Sequence, residues 1–225
     1  MTFSLVARCS QTGMLGVAIA SSSICVASRC PWVRSGVGAS TTQNVTDPSL
    51  GNLMLNYLEE GLNVQEAIDK IIENNKFINY RQLSLIDTKG NSASFTGSKI
   101  LGRHAVSKGV DCIATGNLLS STNVINSMTD NFKKNSNVHF IERLLLALQA
   151  GVDSGGEEGP LHSTGIKVAH ENSWPLVDLR IDWTENNPVA ELIELWNTYK
   201  PQMEDYKSRA TNPDKAPSYG VPGDL

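Results

Sequence analysis

Short stretches in which every second residue is apolar alternate along the chain with longer ones in which apolar residues recur every three or four positions. Phe3 to Cys9 and Met14 to Ser21 flank Gln11-Thr12-Gly13 and predict a β-hairpin. Ile24 to Arg34 is apolar but interrupted by Pro31. Ser35 to Asn44 then reads as a strand of small residues with Gln43 and Asn44 at its polar end. Asp47-Pro48 opens a helix, with Asp as cap and Pro at the first helical position. Leu50, Leu53, Met54, Tyr57 and Leu58 form its stripe, and Gly61 stops it. Asn63 with Glu66 has capping-box spacing for a second helix, striped by Val64, Ala67, Ile68, Ile71 and Ile72.

Tyr80 to Asp87 and Ser92 to Gly97 flank Asp87-Thr-Lys-Gly90 and predict a second hairpin. Val110 to Ala114 is a short strand followed by Thr115-Gly116-Asn117. Helices are expected over Thr122 to Lys134 and Val138 to Ala150. A loop containing Gly151, Gly155, Gly156 and Gly159 leads into a strand from Ser163 to Ala169. Asp178 to Trp183 alternates strictly, and Pro188 begins a helix carrying Val189, Leu192, Ile193, Leu195 and Trp196. The expected organisation is one domain over residues 1–200 and an irregular Pro/Gly-rich tail over 201–225. Strands in antiparallel pairs and helices in pairs bury every apolar face as two packed sheets covered outside by helices. The predicted class is therefore α+β, a four-layer αββα sandwich of two antiparallel sheets.

Composition narrows the function without naming it. The chain has 225 residues, 40% hydrophobic and 19% charged, with a formal net charge of −4. It has no run of five or more basic residues, which argues against a nucleic-acid surface. Its apolar runs are far too short for a membrane span. The start lacks the basic and apolar regions of a signal peptide, so the expected location is cytoplasmic. Cys9, Cys25, Cys30 and Cys112 form no CxxC pair and have no metal-ligand spacing. Buried reduced thiols are expected, with no metal and no cofactor.

Thr2 is the most suggestive residue. Aminopeptidases usually remove Met before a small residue, which would leave a threonine whose free amine can activate its own hydroxyl. Thr2 is otherwise simply the first residue of a strand.

Several stretches together resemble the DUF1028 family, assigned to the N-terminal nucleophile (Ntn) hydrolases. They are Met1-Thr-Phe-Ser-Leu-Val-Ala-Arg8, Gly16-Val-Ala-Ile-Ala20, Pro31-Trp-Val-Arg-Ser-Gly-Val-Gly-Ala39, Thr42-Gln43, Gly116-Asn117-Leu118-Leu119 and Gly155-Gly156. The chain departs from the family pattern at Ser28-Arg29 and over Gly155 to Ser163, which implies a subgroup with its own substrate. The resemblance implies that Thr2 attacks an amide carbonyl and that its amine takes the proton. It further implies a basic residue nearby, Arg29 ahead of Arg34, and oxyanion donors at Asn117 and the unobstructed backbone of Gly116. Gln43 and Asn44 are alternative donors at another strand end.

Three further groups are candidates for substrate binding. His162 follows the glycine-rich loop beside Glu157 and Glu158 and is placed to bind a carboxylate or carry a proton. Asp178, Arg180 and Asp182 share one strand face. They form either a polar pocket in which Arg180 clamps a carboxylate, or a solvent-facing ion-pair ladder. The expected function is hydrolysis of an amide-type C–N bond in a small metabolite through Thr2. The alternative is a non-catalytic small-molecule-binding or assembly protein on the same fold. A third reading activates water at the Asp178–Asp182 face. Pro/Gly-rich tails that are nonetheless ordered often pack on another subunit, which adds the expectation of a homo-oligomer.

Overall fold

The computed structural model describes residues 2–221 of the chain. The expectations about Met1, and about the tail's Pro222 and Gly223, fall outside the described residues. In order, the strands and helices are β1 (Thr2–Arg8), β2 (Leu15–Ser21), β3 (Pro31–Arg34), β4 (Gly38–Asn44), α1 (Pro48–Glu59), α2 (Val64–Asn74), β5 (Arg81–Asp87) and β6 (Ser92–Thr96). They continue with β7 (Ala105–Gly109), β8 (Cys112–Asn117), α3 (Asn123–Lys134), α4 (Phe140–Asp153), β9 (Ser163–Ala169), β10 (Val177–Ile181), α5 (Pro188–Tyr199) and α6 (Met203–Thr211).

The strands form a six-stranded sheet, β10-β9-β2-β1-β8-β7, and a four-stranded sheet, β3-β4-β5-β6. Neighbouring strands in both sheets are antiparallel. The six-stranded sheet packs its outer face, including Phe3, Leu5, Ala114 and Ile166, against α3, α4 and α5. The four-stranded sheet packs Leu83 and Leu85 against Met54, Leu55, Ile68 and Ile71 of α1 and α2. The inner faces meet through Val6, Leu15, Val17, Ala39, Ile86 and Ile113. This is the αββα sandwich.

The helix caps follow the sequence. Asp47 caps α1 by accepting from the Ser49 N–H at 3.2 Å. Asn63 and Glu66 form a reciprocal capping box at the start of α2. Three elements differ from expectation. Pro31 does not interrupt a strand but begins β3, an edge strand, where its missing N–H costs no ladder bond. β7 forms the other sheet's edge without an apolar run, and the residues beside it, Val110 and Asp111, turn the chain into β8 rather than starting it. The tail is not irregular throughout. Between Pro201 and Pro213 the chain carries no helix breaker, and α6 forms there with Met203 buried in the main core.

β1 runs through the middle of the larger sheet, between β2 and β8. Successive side chains on a strand point to opposite faces. Phe3, Leu5 and Ala7 therefore go outward under the helices, and Ser4 and Val6 go inward. The inner layer is apolar at the Val6 end and polar toward Thr2, and that polar end is where the candidate site lies.

Candidate functional site

Ser4, Thr41, Gln43, Gln82, Ser84, Thr115 and Asn117 are all fully buried. A buried amide or hydroxyl without a partner costs about 1–3 kcal/mol, so these groups must satisfy one another. Ser4 Oγ donates to Gln43 Oε1 at 2.8 Å, and Gln43 Nε2 donates to Gln82 Oε1 at 2.8 Å. Gln82 Nε2 donates to the Gly116 carbonyl at 3.1 Å, and Asn117 Nδ2 donates to Gln82 Oε1 at 3.3 Å. Ser4 Oγ lies 3.3 Å from Thr115 Oγ1. The chain of bonds crosses from one sheet to the other and holds the Asn117 amide in place. Asn117 Oδ1 is buried without a hydrogen-bond partner among the described residues.

Thr2 begins β1 directly opposite Asn117 of β8 and is 5% exposed. On the β2 side, its Oγ1 lies 3.3 Å from Ser21 Oγ. The hydroxyl of Thr2 therefore sits at the rim of the polar layer, between Ser21 and Asn117.

The glycine-rich loop reaches the same rim. Gly155 and Gly156 have φ of 110° and 55°, and a Cβ at Gly155 would meet Ser120 Oγ at 2.5 Å. The glycines let the loop strap onto the segment after β8. Ser120 N–H donates to the Gly156 carbonyl at 3.1 Å, and Glu158 N–H donates to the Leu118 carbonyl at 3.0 Å. The strap turns Glu157 inward, 5% exposed. Its Oε2 accepts from the Ser22 N–H at 3.2 Å, while Oε1 is buried without a hydrogen-bond partner among the described residues. Burial pushes this carboxyl up to about 7, partly opposed by the positive charge of the chain's N-terminus and by the bond from Ser22. Glu157 also lines a cavity of about 260 Å³ shared with Val152, Leu161, Glu185, Asn187 and Pro188.

The residues singled out in the sequence are divided by the fold. Thr2, Gln43, Gly116 and Asn117 come together. Gly116 does so for a different reason from the one expected. A Cβ there would approach Leu119 Cδ2 at 2.7 Å and Ile125 Cδ1 at 2.8 Å, so the glycine permits close helix packing, and its carbonyl accepts from Gln82. His162 adjoins the rim, its N–H donating to the Ser21 carbonyl at 3.0 Å. Its ring stacks on Trp183 at 4.2 Å, with Nδ1 2.9 Å from the Thr184 carbonyl.

Arg29 closes its own turn, with Nη1 donating to the carbonyls of Ile24 and Cys25 at 2.6 and 2.8 Å. Arg34 is engaged by Glu59, Asn52 and Asn56. Asn44, at φ 72°, bonds the Tyr80 carbonyl and the Leu101 N–H and shapes a turn. Asp178, Arg180 and Asp182 are exposed, and form contacts of 3.2 Å with Lys167 (Asp178) and 3.9 Å with each other (Arg180 and Asp182). Strand β10, which carries Asp178 and Arg180 and ends just before Asp182, is the far edge of the six-stranded sheet, three strands from β1, and solvent reaches that face.

Gln82, Ser4, Ser21 and Glu157 were not singled out as site residues. For Gln82 and Ser4 the available signal was polar residues on the inward phase of otherwise apolar strands. For Glu157 it was the Gly155-Gly156 pair before it. Among the described residues no group of three His, Cys, Asp or Glu is arranged to hold a metal ion. No described helix is long and apolar enough to cross a membrane.

A crystal structure of protein SPO2555 from Silicibacter pomeroyi, assigned to DUF1028, matches with a TM-score of 0.82 at 32% identity. It covers 88% of this chain and 89% of that one. Anbu (ancestral beta-subunit) from Yersinia bercovieri matches with a TM-score of 0.40 at 12% identity, covering 90% of this chain and 96% of that one. An Anbu (Gly-1) mutant from Hyphomicrobium sp. strain MC1 matches with 0.42 at 10%, covering 92% and 100%. At that distance neither Anbu structure bears on function. No curated protein matches the chain. The DUF1028 sequence profile matches residues 2–192, most of the length over which β1, β8 and the Gly155-Gly156 strap build the rim. With that profile match and a relative sharing about a third of its residues, the chain belongs to DUF1028, a family of unknown function.

Proposed function

We propose that the protein is an Ntn-type amidohydrolase that cleaves an amide-type C–N bond of a small metabolite, with Thr2 as nucleophile after removal of Met1. The observation that carries this reading is the position of Thr2. Its hydroxyl, on a residue 5% exposed, lies at the end of a buried polar layer, 3.3 Å from Ser21 Oγ and opposite the fixed amide of Asn117.

In this mechanism Thr2 Oγ attacks the substrate carbonyl carbon and its proton passes to the Thr2 α-amine. A side-chain amide carries two N–H groups, and one of those on Asn117 goes to Gln82. The other is the donor for the oxyanion, held in advance by the network so that little reorganisation is needed when charge develops. The amine then returns the proton to the leaving nitrogen as the C–N bond breaks. Water, with the same amine as base, hydrolyses the acyl-Thr2 ester and restores the hydroxyl. His162, whose backbone borders Ser21, contributes to the substrate rim. The four free cysteines suit the reducing cytoplasm. Exposed Tyr206 and Tyr219 of the tail, with exposed Trp174, favour self-association, which light scattering at micromolar concentration tests against a monomer mass.

The deciding experiment combines intact-mass spectrometry with an amide-substrate panel on wild type and Thr2→Ala. The expected outcome is a mass lacking Met1 and turnover reduced by at least about 10³-fold in Thr2→Ala. Full activity with Met1 retained overturns the mechanism. Tight binding without product, unaffected by Thr2→Ala, supports a binding protein instead.

A further inference from the structure

We propose that Glu157 is the positioning residue for the α-amine of Thr2, its buried carboxylate receiving the ammonium that removal of Met1 creates. This rests on the reading of Thr2 as the N-terminal nucleophile and extends it to a residue outside that mechanism.

The argument begins with strand direction. β1 and β2 are antiparallel, and Phe3 is opposite Ala20. Going back along β1 therefore means going forward along β2. Thr2 faces Ser21, as their hydroxyl contact at 3.3 Å shows, so the position just before Thr2 along β1 lies at the level of Ser22 on β2. Cross-strand neighbours have Cα atoms about 4.5–5.5 Å apart. The Glu157 carboxylate is bonded to the Ser22 N–H at 3.2 Å, so it stands at the level where β1 would begin once Met1 is removed.

The second observation is the unmet valence. Glu157 is 5% exposed, and Oε1 is buried without a hydrogen-bond partner among the described residues. An ionised carboxylate in such a place requires a cation or donors. The surrounding charged side chains are engaged elsewhere. Glu158 faces Arg103 at 3.9 Å, Glu185 faces His162 at 3.8 Å, and Arg29 closes its own turn. No described lysine, arginine or histidine side chain lies within ion-pair distance of Glu157. The third is rigidity. The Gly155-Gly156 strap, bonded to Leu118 and Ser120, fixes the carboxylate independently of any ligand.

The chemistry balances within the pair. An α-amine ordinarily titrates at about 7.7–8.0. The carboxyl, raised to about 7 by burial, titrates close to it. One proton is then shared between the ammonium–carboxylate form and the neutral amine–carboxylic acid form. In the second form the amine lone pair is free to accept the Thr2 Oγ proton, and Glu157 holds the proton that the amine gave up.

The test needs no substrate. Chains beginning at Thr2 are released from a cleavable N-terminal fusion, and the Thr2 amine is titrated by pH-dependent labelling with an amine-reactive reagent, read by mass spectrometry of the N-terminal peptide. In wild type the amine is expected to titrate above the ordinary range. In Glu157→Gln it should fall by about one pH unit, and Glu157→Asp should restore part of the difference. A wild-type amine titrating at or below the ordinary value overturns the proposal even if the variants fail to fold, and so does an unchanged value in folded Glu157→Gln. Loss of turnover in Thr2→Ala tests the nucleophile, whereas this titration tests only the partner of its amine, so the two ideas fail separately.

Discussion

Replacing Glu157 by glutamine keeps the side-chain shape and the acceptor for Ser22 but removes the ionisation. In the unfolded chain this carboxyl titrates near its ordinary 4.5, whereas in the folded protein burial raises it to about 7. The folded state thus favours the protonated form. The associated stability is fully present below 4.5, is lost as pH rises through the interval, and is gone above about 7, where the folded protein carries a buried charge. At about 1.36 kcal/mol per pH unit, the interval corresponds to roughly 3 kcal/mol.

Wild type should therefore lose about 2 kcal/mol between pH 5 and pH 7 relative to Glu157→Gln, an interval that lies below the ordinary titration of the Thr2 amine. For a chain of this length that is a relative shift in Tm of roughly 4–8 °C. Urea unfolding at pH 5, 6 and 7 measures the difference, with thermal melts as a second readout. Stability curves for the two proteins that run parallel across this range, within about 0.5 kcal/mol, would refute the burial argument.

Gln82→Leu leaves Gln43 Nε2, Asn117 Nδ2 and the Gly116 carbonyl without their shared partner, and should cost at least about 3 kcal/mol in urea unfolding; a loss below about 1 kcal/mol would show that the network relaxes freely. Arg180→Ala and Asp182→Asn disturb only an exposed pair, so each should change stability by less than about 0.5 kcal/mol and leave turnover intact. Abolished turnover in Asp182→Asn would instead support water activation at that face. Burial pushes the Cys112 thiol up to about 12 and raises Cys30, and Cys9 is buried, whereas Cys25 is half-buried. A thiol reagent at pH 8 should therefore modify Cys25 rapidly in the native protein and the other three after unfolding; rapid native labelling of Cys112 would contradict its burial.

The sequence by itself determined most of the elements, because their signals are local. The Asp47-Pro48 start of α1 and the Asn63–Glu66 box are hydrogen bonds between residues two or three apart, and the strands announce themselves by alternation. It also singled out Thr2 and Asn117, but not their meeting across β1 and β8. Strand pairing decided that, along with which polar residues would be enclosed. Ser4 reaches Gln43 across 39 positions and Ser22 reaches Glu157 across 135. The same alternation that identified Asp178, Arg180 and Asp182 as one face could not say whether another sheet would cover it. β10 became an edge strand and left them in water, while Gln82, on an equally unremarkable strand, was sealed between two sheets. Periodicity along a chain fixes which side chains share a face; only packing decides whether that face keeps its water, and with it whether a carboxylate such as Glu157 remains an ordinary surface charge or is driven toward a new partner.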